Sequence, residues 1–154
     1  MKEIVVISIG GSIIVPDKVD HAFLKQAKKS LLKLSKKYKL VICTGGGSTA
    51  RDYMFALRST GRSELDLNLM GIAVTRLNAK LLAGYVGKSN KVIPHSLAEV
   101  KSLVKKYDIV VCGGIKPGQT SDGTTAEIAE YLKVKTLINV TNVSGLYTKD
   151  PRKF

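Results

Sequence analysis

The sequence is short of the features that define several protein classes. No apolar run approaches the ~20 residues of a membrane span, so no membrane association is expected. Acidic residues are scarce: 12 Asp and Glu face 25 Lys and Arg, a formal net charge of +13. Such an excess attracts anions such as phosphates. Nucleic acid is not the expected partner, because the basic stretches lack interleaved aromatics and match no nucleic-acid module. Lysines such as Lys25, Lys28, Lys29 and Lys33 read instead as a solvated helix face. Cysteine is limited to Cys43 and Cys112. Each ends a β-branched apolar run and reads as a buried thiol. No CxxC pair exists and His21 and His95 have no ligand spacing to them, so neither a metal site nor a disulfide is expected. The N-terminus has no signal-peptide pattern, which makes the cytoplasm the expected location. Repeats, linkers and low-complexity segments are also missing, and 154 residues suit one domain with one core.

What is present is an alternation of strands and helices. Ile4–Ile9 is a continuous β-branched run, the mark of a strand buried on both faces. Asp20 can cap a helix with the stripe Leu24, Ala27, Leu31 and Leu34. A second buried strand, Lys39–Thr44, leads through Gly45-Gly46-Gly47 into a helix from about Thr49 to Thr60. A longer helix is expected from Glu64 to Val86, closed by Gly87. Val92-Ile93 reads as a short strand. Ser96 and Glu99 form a capping box for a helix over Leu97–Lys106. A strand at Asp108–Cys112, a helix at about Thr124–Leu132 and a strand at Thr136–Val140 complete the series. This alternation predicts right-handed crossovers, hence an α/β fold: a three-layer α/β/α sandwich around a mostly parallel central sheet.

Glycine clusters follow three of the strands: Gly10-Gly11, Gly45-Gly46-Gly47 and Gly113-Gly114. All fall at carboxyl strand ends, the edge where parallel sheets bind ligands. Glycine allows a backbone to approach an oxyanion closely and point N–H groups at it. The helix after Gly47 adds the partial positive charge of its N-terminus. Two familiar fingerprints nearly match and fail. Gly45-x-Gly47-x-x-Ala50 fits a dinucleotide turn, but a long helix stands where that fold needs a second strand ending in an acid. Gly113-x4-Gly118-Gln119-Thr120 resembles a phosphate loop, but Gln119 replaces its lysine, and the polar loop is expected to continue to Asp122 before a helix opens. Arg51 reads equally as a phosphate ligand or an exposed helix arginine. Asp122 reads either as the cap of the following helix or as a group that orients a metal-bound phosphate or a catalytic cation.

Five ordered motifs together resemble the amino acid kinase superfamily: Ile9-Gly10-Gly11-Ser12; Gly45-Gly46-Gly47-Ser48-Thr49-Ala50-Arg51-Asp52-Tyr53; Thr75-Arg76-Leu77-Asn78-Ala79; Pro117-Gly118-Gln119-Thr120-Ser121-Asp122; and Thr141-Asn142-Val143-Ser144-Gly145-Leu146-Tyr147-Thr148-Lys149-Asp150-Pro151. Within it, the pattern resembles the archaeal-type UMP kinases, which transfer the γ-phosphoryl group of ATP to UMP, with Mg2+, on the route to CTP. The resemblance implies a catalytic centre with Gly10, Gly11 and Asp122. It implies UMP contacts from Gly46, Asn68, Ile115, Lys116, Pro117, Gly118, Gln119, Thr120 and Ser121. Gly10, Gly11, Gly47, Arg51, Thr141, Asn142, Tyr147 and Asp150 would serve ATP. A homo-oligomer, by family resemblance a hexamer built through the Glu64–Val86 helix, is also implied. Three positions depart from the pattern: Ser8 stands where many members carry a catalytic lysine, Asn68 where an aspartate binds UMP, and Ser144 where an aspartate is usual. The expected organisation is a single amino acid kinase domain, 1–154, lacking the C-terminal part of its ATP-binding half. The alternatives to UMP kinase are a non-catalytic or split nucleotide-binding or oligomerisation fragment, and a related small-molecule kinase of the superfamily.

Overall fold

The computed structural model describes residues 2–142. Four strands, β1 (Ile4–Ile9), β2 (Lys39–Thr44), β3 (Ile109–Cys112) and β4 (Thr136–Val140), form one sheet in the order β3-β2-β1-β4. Every pairing is parallel. The helices are α1 (Gly11–Ile14), α2 (His21–Leu34), α3 (Gly47–Arg58), α4 (Glu64–Val86), α5 (Leu97–Lys106) and α6 (Ser121–Tyr131).

Side-chain alternation along the strands divides the core in two. Val5, Ile7, Leu40, Ile42 and Val111 face α2 and α4, where Leu24, Leu31, Leu82 and Val86 meet them. Val6, Val41, Cys43, Val110 and Cys112 face the other way, onto Val100 and Val104 of α5 and Ile128 of α6. Burial on both faces is why the strands read as unbroken apolar runs. The three-layer α/β/α sandwich expected from the sequence is therefore the one observed. β4 differs: it pairs with β1 alone among the described residues, and Leu137 and Ile138 are 44% and 42% exposed.

Three local expectations change. No strand forms at Val92-Ile93. Its place at the edge of β3 is taken by the Asn90 side chain, whose Nδ2 donates to Val111 O (2.8 Å) and whose Oδ1 accepts from Val111 N (2.7 Å). One amide side chain thus imitates a strand at the price of a single residue. Helix α6 begins at Ser121, three residues earlier than expected, because Thr120 is the cap: its hydroxyl accepts from Gly123 N at 3.0 Å. Asp122 is therefore not the cap, and a helix does open directly after the Gly118-Gln119-Thr120 loop. Helix α3 likewise runs two residues ahead of the expected span, starting at Gly47 itself.

The sheet order sets the position of the site. The chain leaves β1 toward β2 on one side, and later returns to lay β4 on the other. Strand order reverses at β1, so a crevice opens beyond its carboxyl end.

Candidate active site at the carboxyl ends of β1 and β2

The first two glycine turns touch. Gly45 N donates to Ile9 O, and Gly10 N donates to Val140 O, each at 3.0 Å, so the turns continue the ladders of β1 with both neighbours. A Cβ built on Gly11 would lie 2.0 Å from Gly47 N, and one on Gly47 would lie 2.4 Å from Gly11 O. Gly47 also has φ +66°, a left-handed conformation open to glycine. Only glycine permits this contact. Among the described residues, no acceptor takes the N–H of Gly11, Gly46 or Gly47. These donors stand beside the N-terminus of α3, where the helix dipole favours an anion.

The third glycine pair is different. Gly114 N donates to Thr75 Oγ1 (2.7 Å), and Arg76 Nε donates to Gly114 O (3.0 Å). A Cβ on Gly113 would lie 2.7 Å from Arg76 N. Here glycine serves close packing against α4, and the Gly114 N–H is already engaged.

Beside Gly46 a cleft of ≈ 180 Å³ opens between α3, α4 and the loop before α6. Of the residues assigned to UMP from the sequence, Gly46, Asn68, Lys116, Gly118, Gln119 and Ser121 line it. Ile115 instead packs on the second core, Pro117 is exposed, and Thr120 caps α6. The sequence reading did not assign Ala50, Met54, Gly71, Ile72, Thr75 or Gly114 to this lining, although Ala50 and Thr75 lie in the ordered motifs. Asn68 Nδ2 donates to Glu64 O at 2.8 Å, so the amide is anchored on its own helix and Oδ1 is left as the acceptor.

The loop is held from behind by Glu127, a residue the sequence reading also missed. Glu127 pairs with Lys116 and accepts from Gln119 Nε2 at 3.0 Å. Gln119 Oε1 in turn accepts from Thr124 Oγ1 at 3.1 Å. Lys116, then Gln119, hold the Glu127 carboxyl below its ordinary range.

At the end of β1, Ser8 Oγ donates to Asp122 Oδ1 at 2.9 Å. Ser8 is 1% exposed, whereas Asp122 is exposed at the first turn of α6. Below them, Cys43 and Cys112 are register partners on β2 and β3 and are fully buried. The Cys112 thiol is pushed well up by its hydrogen bond to Cys43, and further by burial. Both cysteines are free, as the sequence suggested.

Of the ATP set, Gly10, Gly11 and Gly47 are brought together, and Thr141 and Asn142 follow β4 in exposed positions. Arg51 is exposed and lines a separate hollow on α3 with Asp52, Met54, Phe55 and Arg58. Tyr147, Asp150 and Ser144 lie outside the described residues.

The family model for the amino acid kinase family matches residues 3–154. The chain belongs to the amino acid kinase family. Among relatives of this family, the chain is 43% identical over 154 residues to a uridylate kinase of Thermoplasma volcanium and 41% identical to one of Thermoplasma acidophilum. Each alignment covers 100% of this chain and 67% of the relative. The crystal structure of uridylate kinase from Archaeoglobus fulgidus superposes with a TM-score of 0.89 at 38% identity, covering 98% of this chain and 68% of that one. UMP kinase from Ureaplasma parvum, at 22% identity and a TM-score of 0.75, shares the fold. The chain thus spans about two thirds of the length of these family members.

Proposed function

We propose that this amino acid kinase is a UMP kinase, which transfers the γ-phosphoryl group of ATP to UMP. One observation carries the reading: two glycine turns in mutual contact present three N–H donors that no acceptor among the described residues takes, and one of the three, Gly46, lines the cleft. Phosphoryl transfer needs positioning and neutralisation of developing charge, with little covalent chemistry from the protein. Aligned N–H groups and a helix N-terminus supply that at low reorganisation cost. The names of the relatives select the acceptor nucleotide.

In this reading Gly46, Asn68, Lys116, Gly118, Gln119 and Ser121 hold UMP. Gly10, Gly11 and Gly47 face the transferred phosphate, and Thr141, Asn142, Tyr147 and Asp150 serve ATP. Asp122, oriented by Ser8, stands at the transfer point. No group of three or more potential metal ligands occurs among the described residues. A single carboxylate fits a magnesium ion that is bound mainly by nucleotide phosphates, because Mg2+ ordinarily uses one or two carboxylates plus phosphate oxygens. Asp122 would be that carboxylate, and the ion would neutralise phosphate charge.

The exposed outer face of α3 and α4, with Tyr53 (55%), Leu65 (56%), Leu69 (49%) and Leu77 (60%), supports assembly into a homo-oligomer, a hexamer by family resemblance. No helix among the described residues is long and apolar enough to cross a membrane. A role with UMP and ATP supports a cytoplasmic location. The domain is read as a single amino acid kinase unit.

Calorimetry with UMP and a UDP-formation assay with ATP and Mg2+ test the proposal. UMP binding and UDP formation are expected. Failure to bind UMP or UTP would overturn it. Ser8, a hydroxyl where many members carry lysine, favours a second reading: nucleotide binding without turnover. Tight UMP binding with no UDP formed would select that reading.

A further inference from the structure

We infer that Asn78 and Thr75 of α4 are positioning residues for phosphate recognition, Asn78 presetting the Gly45-Gly46-Gly47 turn and Thr75 holding the Gly114 turn across the cleft from it; this rests on the UMP kinase reading. Asn78 is 3% exposed, and its Nδ2 donates to two successive carbonyls, Gly45 O at 2.9 Å and Gly46 O at 3.1 Å. In a planar trans peptide the carbonyl and the following N–H point in opposite directions. Holding Gly45 O and Gly46 O against α4 therefore aims the N–H groups of Gly46 and Gly47 away from it. Those are two of the donors that no described acceptor takes. A run of glycines has little intrinsic preference for this arrangement, since its peptide planes rotate more freely than those of other residues. The buried amide supplies the preference.

Thr75 lies one turn earlier on the same helix. Its carbonyl accepts from Thr44 Oγ1 at 2.9 Å, which ties α4 to the last residue of β2. Its own hydroxyl donates to Ile72 O and accepts from Gly114 N, each at 2.7 Å. The cleft runs between Gly46 on one side and Gly114 with the Gly118–Ser121 loop on the other, and Thr75 is part of its lining. One helix thus sets both the direction of the donors and the width of the cleft. Neither side chain carries charge, so their contribution is geometric: a donor that is already aimed needs no reordering when the phosphate arrives.

The test uses the full chain labelled with 15N-glycine, titrated with UMP and, as a phosphate-free probe, uridine. The variants are Thr75→Val, which keeps the shape and removes the hydroxyl; Thr75→Ser, which keeps the hydroxyl; and Asn78→Ala. Thr75→Val and Asn78→Ala are expected to weaken UMP binding about tenfold or more, the scale of one well-placed hydrogen bond. Uridine affinity stays at the parent value in Asn78→Ala, whose side chain is not part of the cleft lining, and Thr75→Ser remains within about twofold of the parent for UMP. The UMP-induced shifts of the Gly46 and Gly47 amides shrink in Asn78→Ala. Equal UMP affinity in parent and Thr75→Val would overturn the inference and leave the kinase reading intact. An equal loss of UMP and uridine in Asn78→Ala would also overturn it, since that marks a general structural role. A parent that binds neither UMP nor UTP would overturn the kinase reading itself. Should Asn78→Ala fail to fold, Asn78→Asp, which keeps the shape and removes the donor to both carbonyls, decides the matter.

Discussion

Ser8 Oγ donates to Asp122 Oδ1 at 2.9 Å, joining the centre of the sheet to the first turn of α6 across 114 residues of sequence. The bond fixes a carboxylate at the point where strand order reverses. Ser8→Ala is expected to leave the fold within about 1 kcal/mol of the parent, the usual value of one hydrogen bond. Asp122 loses its tether, so kcat for UDP formation should fall several-fold while the KM for UMP changes little. Steady-state kinetics alongside urea unfolding separate the two effects. A matched fall in stability and no change in kcat would remove Asp122 orientation as the function of Ser8.

Gly11 and Gly84 form an informative contrast. A methyl group on Gly11 would meet the Gly47 backbone nitrogen at 2.0 Å, so Gly11→Ala must push the two turns apart. It is expected to destabilise by about 2 kcal/mol or more and to abolish UMP binding. Gly84 lies inside α4 with nothing near its Cβ position. Gly84→Ala is expected to stabilise by about 0.5–1 kcal/mol through helix propensity. Thermal melts of the two variants check both signs.

Asn90 tests the side chain that stands in for a strand. Asn90→Ala leaves Val111 N and O, both buried, without their partners. A loss of about 2–3 kcal/mol is expected from two unsatisfied backbone groups. Hydrogen exchange should show the Val111 amide opening first.

The Lys116–Glu127 pair gives a pH dependence of definite sign. Lys116 lowers the folded pKa of Glu127 from its ordinary 4.5. The stabilisation is therefore fully present above that ordinary value and is lost as pH falls through the lower folded value. The difference in unfolding free energy between the parent and Glu127→Gln should be constant from neutral pH down to about pH 5 and close below it. A difference that grows on acidification would contradict the pairing.

Cys43 and Cys112 offer a check on the core. Both are fully buried and free. Neither thiol is expected to react with a disulfide reagent in the native protein within the time that both react in denaturant. Rapid labelling of the folded chain would show that the ends of β2 and β3 open.

Much of the fold was legible because its signals are local. Unbroken β-branched runs marked β1, β2 and β3, and the stripe Leu24, Ala27, Leu31 and Leu34 marked α2, although Leu34 at its last position is exposed; Asp20 marked its start, and its carboxylate does accept from Phe23 N at 2.9 Å. The bounds of α4 were read residue for residue, although its capping box of Ser63 and Asp66 was passed over. The Val92-Ile93 strand failed because two apolar residues before a proline carry the same local signal whether or not a partner strand accepts them. The residue that displaced them, Asn90, has no strand propensity and is recognisable only by the two bonds it makes with β3.

The candidate site divides the same way. From the sequence alone, the glycine turns could be placed at carboxyl strand ends, since turn chemistry and strand order along the chain are local facts. Their unequal roles were decided by tertiary structure. Gly11 and Gly47 are forced together by the pairing of β1 with β2, whereas Gly113 and Gly114 are pressed onto α4. The partners of Thr75, Asn78, Glu127 and Ser8 were likewise set in three dimensions, because each bonds or pairs with a distant loop or helix. A polar side chain in a sequence states what it can donate or accept; only packing determines which group it finds.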